Sequence, residues 1–249
     1  MIKDYDKFLQ DLLKQKEYKK LDQCRPQKID WRALAKTRLN KRKKKEADTI
    51  LINEDRDNYR ELFDHSRLPD DSLFFNAHPD AEESPVQNIS YEAATFYCEW
   101  ITELYNRSTS KKKKFKKVIF RLPTESEWML AASNGKKGKY AHGGDNITNN
   151  KGCFLYNLNV AGEPCRGGDN LHAGNDGGFF PVKVDSYFPN DLGLYNTNGN
   201  VSEMIDEKGK AKGGSWAHEP DNCTIQSIQK YSGPDPSVGL RVFMEVVEF

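Results

Sequence analysis

Residues 188–216 read FPNDLGLYNTNGNVSEMIDEKGKAKGGSW, and this stretch restricts the fold more than any other. It is too rich in glycine and asparagine to be a helix, so its backbone must be held by something other than a regular ladder. One such device is a hard cation gathering carbonyl and carboxylate oxygens, and Asn196, Gly199, Val201 and Glu203 stand at a spacing that can wrap one ion. The other is a surface loop whose asparagine side chains bond their own backbone.

A chain of 249 residues with 37% hydrophobic content can build one sizeable core together with an irregular extension. Lysine plus arginine (38) nearly equals aspartate plus glutamate (37), so no global field draws in nucleic acid or an anionic membrane. Basic residues do cluster at 38–45 and 111–117. Neither run is interleaved with the aromatic side chains that stack on bases, so both read as solvated faces and no nucleic-acid partner is expected. No apolar run is long enough to span a bilayer, and the charged start MIKDYDKFLQDLLKQKEYKK lacks the apolar core of a secretory signal; a soluble chain without direct membrane insertion is expected. Five cysteines, at 24, 98, 153, 165 and 223, fit neither a disulfide framework nor a C-x-x-C zinc module. His65, His78, His142 and His172 show no metal-ligand spacing.

Taken in order, Tyr5, Phe8, Leu9, Leu12 and Leu13 predict an amphipathic helix within residues 4–20. The next fifty residues turn polar and charged, with Trp31, Leu34 and ILI at 50–52 as their apolar anchors. Ser90 is placed to cap a helix carrying Ala94, Tyr97, Cys98, Ile101 and Tyr105 on one face. VIFRLP then reads as a strand ending at Pro123, and Thr124 with Glu127 forms a capping-box pattern before a second helix. Residues 134–176 show no sustained period beyond CFLYNLN, which in a compact domain indicates function or pinning by ions. Short strands are expected in PVKVDSYF, GKAKGGSW and VGLRVFMEVVEF.

The ordered set PVQNISYEAATFYCEWI, FRLPTESEWMLAA, PNDLGLYNTNGNVSEM, KGGSW and GLRV resembles the formylglycine-generating-enzyme (sulfatase-modifying factor) superfamily from about residue 84 onward. The resemblance implies an α+β, irregular, C-type-lectin-related fold with little regular secondary structure and bound calcium. Residues 1–83 would form an N-terminal helix and extension packed on a domain at 84–249. Those early residues are most similar to the branch containing gliding-motility and secretion-associated lipoproteins. The same resemblance assigns one calcium to Asn196, the Gly199 and Val201 carbonyls and Glu203. It assigns a second to Asn157, the Leu158 carbonyl, Asp176 and a carbonyl of the GGF run.

The enzymes of this superfamily oxidise a substrate cysteine to formylglycine with copper and oxygen, using two cysteines that follow GGS. Alignment on Gly213, Gly214 and Ser215 puts His218 at the first cysteine position and Cys223 at the second. A mixed imidazole and thiolate pair lacks the two soft sulfur ligands suited to cuprous ion. The expectation is therefore a non-catalytic, calcium-stabilised binding or scaffolding domain with a protein partner in a larger assembly. Its alternative is a copper-dependent oxidoreductase with Cys223 reactive and His218 in support, and a lectin-like carbohydrate binder is a third reading. The chain as given suggests the cytoplasm, whereas the resemblance suggests export. His142 stands in YAHGG, where relatives often have an aromatic residue. Neither oligomeric state nor the use of the 111–117 run follows from the sequence.

Overall fold

Tyr5, Phe8, Leu9 and Leu12 recur on one face of α1 (Ile2–Lys14), and all four are buried. The helix is shorter than the expected 4–20 because Lys16 adopts a left-handed conformation (φ 60°), which breaks the chain before α2 (Tyr18–Cys24). Leu13 lies beside the buried face and is exposed. The computed structural model describes residues 1–29, 34, 81–110, 113–160 and 180–249. Trp31, the 38–45 basic run, the 50–52 anchor, His65, His78, Cys165, His172 and Asp176 lie outside these residues.

The buried face of α1 lies against α3 (Tyr91–Arg107), with Tyr5 and Phe8 rings 5.2 and 5.8 Å from Tyr97. Trp100 Nε1 donates to Asp11 Oδ2 at 2.9 Å across this interface. The same core takes in Val86, Ile89, Cys98, Leu122, Met204 and Val238, so the first helices share their apolar interior with residues beyond 84. Ser90 caps α3 by accepting from Ala93 N. At α4 (Glu125–Ser133), Thr124 Oγ1 accepts from Glu127 N while the Glu127 carboxylate accepts from Thr124 N, completing the expected capping box.

Strand β1 (Lys117–Arg121) pairs antiparallel with β6 (Phe243–Glu248) in a two-stranded ribbon. A second sheet has the order β4-β3-β2-β5, built from β2 (Ser202–Met204), β3 (Lys210–Lys212), β4 (Ile228–Lys230) and β5 (Val238–Leu240). Its β2 and β5 run parallel and its other neighbours antiparallel. The result is the α+β class, with short strands and long irregular connections. Three expectations change. PVKVDSYF forms turns rather than a strand, GKAKGGSW contributes only the three residues of β3, and the C-terminal run divides at Arg241 and Val242 between the two sheets.

Candidate functional site

Residues 196–203 are buried, not a surface loop, and their asparagine side chains bond distant backbone rather than their own. Asn196 Nδ2 donates to the Val184 carbonyl at 2.9 Å. Asn198 accepts from Ala141 N at 2.8 Å and donates to the Cys223 carbonyl at 2.7 Å. Asn200 accepts from Val182 N and donates to the Val182 carbonyl, completing with one amide the pair of bonds a neighbouring strand would make. This pairing holds Val182 without placing it in a sheet. Asn196 and Asn200 themselves take left-handed conformations, which asparagine tolerates better than most residues.

Among the described residues three side-chain oxygens of this lattice have no hydrogen-bond partner, Asn196 Oδ1, Asn157 Oδ1 and Ser202 Oγ, and the first two are amide acceptors. Leaving such an acceptor dry costs about 1–3 kcal/mol, and a hard cation is one remedy. The two amide oxygens belong to the two calcium sites the resemblance implies, one to each, so Asn196 and Asn157 fit an oxygen-seeking ion. The sites adjoin. Asn200 N donates to the Asn157 carbonyl at 2.9 Å, and a Cβ on Gly199 would lie 2.3 Å from that carbonyl oxygen, so only glycine allows the approach. Leu158 is fully buried beside them.

Glu203 is placed differently from a residue reserved for an ion. Its Oε1 accepts from Arg241 Nε and Nη2 at 3.0 and 2.6 Å, and its Oε2 accepts from Arg241 Nε at 2.8 Å and Trp128 Nε1 at 2.7 Å. These four contacts occupy about the four lone-pair directions a carboxylate offers. Burial alone would lower the Arg241 pKa, but the Glu203 carboxylate outweighs it and holds the guanidinium above its ordinary value. Arg241, Trp128, Asn198 and Asn200 were not singled out by the sequence reading. The only signal for them was their presence in the GLRV, EWM and NTNGN runs.

At the thiol site, Cys223 is fully buried and its Sγ lies 3.7 Å from the carbonyls of Ser215 and His218. The His218 imidazole turns its Nδ1 to Ser215 Oγ at 2.7 Å, and burial lowers its pKa against an opposing pull from Asp235. A Cβ on Gly214 would stand 2.3 Å from the sulfur. Nearby, His142 Nδ1 and Tyr156 Oη are 2.6 Å apart, with the Tyr140 ring stacked on the imidazole, so His142 has a structural partner. Among the described residues, no group of three or more His, Cys, Asp or Glu side chains gathers as a metal centre.

Comparison with known proteins gives these features a lineage. The sulfatase-modifying factor enzyme 1-like domain matches residues 9–246. The chain is 33% identical over 123 residues to a formylglycine-generating enzyme of Streptomyces coelicolor, covering 49% of this chain and 32% of that protein. It is 27% identical over 197 residues to the chaperone protein LppX of Paenibacillus barcinonensis, covering 65% and 70%. Identity to inactive C-alpha-formylglycine-generating enzyme 2 of Bos taurus is 28% over 149 residues, covering 56% and 40%. The chain thus spans about a third of the Streptomyces enzyme's length. Solved structures similar to it include CarF (TM-score 0.47, 21% identity, 70% of this chain and 72% of that one) and PvdO from Pseudomonas aeruginosa (TM-score 0.47, 17% identity, 66% and 63%). With the family pattern running through nearly its whole length, this chain belongs to the sulfatase-modifying factor enzyme 1-like family.

Proposed function

We propose that the chain is a non-catalytic, calcium-stabilised binding or scaffolding domain that works with a protein partner in a larger assembly. The observation that carries this reading is at the thiol site: the first cysteine position holds His218, whose Nδ1 is engaged by Ser215, while the Cys223 sulfur is enclosed and directed at two backbone carbonyls. Relatives named as an inactive enzyme and as a chaperone are in keeping with it.

Calcium would supply a positive centre for oxygens that have no hydrogen-bond donor among the described residues. Asn196 Oδ1 with the Gly199 and Val201 carbonyls would hold one ion, framed by Glu203 in its pairing with Arg241. Asn157 Oδ1 and the Leu158 carbonyl would serve the second, with Asp176 as the resemblance implies.

The rival reading, a copper- and oxygen-dependent oxidase, retains one thiol, so the test is direct. The protein is incubated with copper, oxygen, a thiol reductant and a cysteine-containing sulfatase peptide, and the peptide is weighed by mass spectrometry. No change is expected. A loss of about eighteen mass units, replacing the thiol-bearing carbon by an aldehyde, establishes catalysis and ends the non-catalytic reading. Chelation tests the ion separately: the melting temperature falls on calcium removal and recovers on its return, and an unchanged value ends the calcium reading.

A further inference from the structure

The β1–β6 ribbon has two outer edges, and the fold treats them oppositely. On the β1 side, α3 supplies side chains in place of a third strand. Asn106 Oδ1 accepts from Val118 N at 3.0 Å and its Nδ2 donates to the Val118 carbonyl at 2.8 Å, while Thr102 Oγ1 accepts from Phe120 N at 2.8 Å. Val118 and Phe120 therefore direct their main-chain groups at the helix, and Lys117, Ile119 and Arg121 direct theirs at β6. In antiparallel pairing the residues opposite Val118 and Phe120 must point away from β1, and these are Val246 and Met244.

Nothing among the described residues meets the main-chain groups of Met244 and Val246, for β6 has no neighbour but β1. The strand has neither proline nor lysine within FMEVVE; what guards this edge is the charge of Glu245 and Glu248 and a register shift opposite Lys117 and Val118, beyond Met244 and Glu245. Met244 and Val247 are 44% and 48% exposed along it.

We infer that β6 is a docking edge that takes up an extended segment of a partner protein, added antiparallel, with a basic residue opposite Glu245. Resting on the reading of this chain as a binding domain, the inference supplies the mode of contact. A second copy of β6 fits poorly. The antiparallel register that bonds all the outward groups pairs Met244 with Val246 of the copy and sets Glu245 directly against Glu245, a like-charge pair. Glu245 shares its carboxylate with Arg121 Nε at 2.9 Å on one side and is half-exposed on the other, so a Lys or Arg in the added strand completes the charge pairing.

The experiment uses the full chain with two blocked pentapeptides, acetyl-Thr-Val-Lys-Val-Thr-amide and its Glu-for-Lys counterpart, and reads amide hydrogen exchange at each residue. Slowed exchange at Met244 and Val246 with the Lys peptide is expected, with binding about three times weaker for the Glu peptide, the size of one cross-strand charge pair. Val246→Pro removes the outward N–H while sparing the bonds to β1, so it should abolish the effect with the melting temperature nearly unchanged. Glu245→Lys should reverse the peptide preference, which covers the case in which the proline variant folds badly. Three results overturn the inference: no slowing with either peptide, slowing that survives Val246→Pro, or concentration-dependent slowing without peptide, which assigns the edge to a second copy. Their occurrence leaves the non-catalytic reading standing, because that reading is decided by the peptide oxidation assay.

Discussion

Replacing Glu203 by Gln tests the node on which the buried 196–203 segment closes. In the native chain one carboxylate receives Arg241 through Nε and Nη2 and Trp128 through Nε1, with the Glu203 side chain 6% and the Arg241 side chain 26% exposed. Glutamine keeps the shape, but its amide nitrogen must face a donor and the guanidinium loses its counter-charge. Breaking one member of a buried pair costs about 3–5 kcal/mol. The partial exposure of Arg241 returns some hydration, so the lower end, about 3 kcal/mol, is expected. At about 2–4 °C per kcal/mol for a chain of this size, the melting temperature should fall by roughly 6–12 °C. Urea unfolding followed by circular dichroism, with an unchanged m-value, measures the loss. The partner change Arg241→Met should give a coupling of about 1–3 kcal/mol in a double-mutant cycle. A Glu203→Gln cost below about 1 kcal/mol, typical of exposed pairs, or strictly additive losses would refute the argument. Two variants resolve the ion set: Glu203→Gln should remain fully sensitive to chelation, whereas Asn196→Ala should lose the part of that sensitivity due to its own ion, leaving the part due to the ion at Asn157.

Three further outcomes follow from local geometry. Gly199→Ala should cost more than about 2 kcal/mol in urea unfolding, since φ is +74° and the new methyl meets the Asn157 carbonyl at 2.3 Å. Thr124→Ala should cost about 1 kcal/mol by removing one half of the α4 capping box, measured in the same way. Burial lowers the pKa of His142, with Lys136 adding to the effect, and burial likewise lowers that of His218. The folded chain therefore binds fewer protons than the unfolded one. Stability from these groups is complete above the ordinary histidine value near 6.5 and declines as pH falls through the lowered values. A His142→Asn and His218→Asn double variant should flatten a plot of melting temperature between pH 7 and pH 5.

Where signals were local, the sequence was legible. Ser90 and Thr124 are capping residues that act on the next turn of their own chain, and both caps stand as read. The buried face of α1 was likewise visible as a period, but its end was not, because a left-handed Lys16 has no compositional mark. PVKV alternates like a strand but forms no ladder, because the main chain of Val182 bonds the Asn200 side chain, eighteen positions along the chain. The C-terminal run reads as one strand because nothing local announces that Arg241 turns inward to a carboxylate thirty-eight residues earlier. For the candidate site, the asparagines stood out as residues needing an explanation. Their partners could not be read, since Asn198 reaches Ala141 across fifty-seven positions.

That long-range bonding keeps the support of the buried segment separate from the side chains of the thiol site. Asn200 and Gly199 lock the 196–203 segment to Asn157, and Asn198 ties it to the backbone of Cys223, so the two candidate ion loops and the thiol site form one hydrogen-bonded unit. None of those bonds uses the His218 imidazole or the Cys223 sulfur. On the non-catalytic reading proposed above, an imidazole in place of a thiol at position 218 would leave these bonds intact, so the fold would not depend on a complete redox pair. The lattice also makes the two loops answerable to each other: an ion that fixes Asn157 lowers the ordering cost of Gly199 and Asn200, so calcium taken up at one loop should tighten the other.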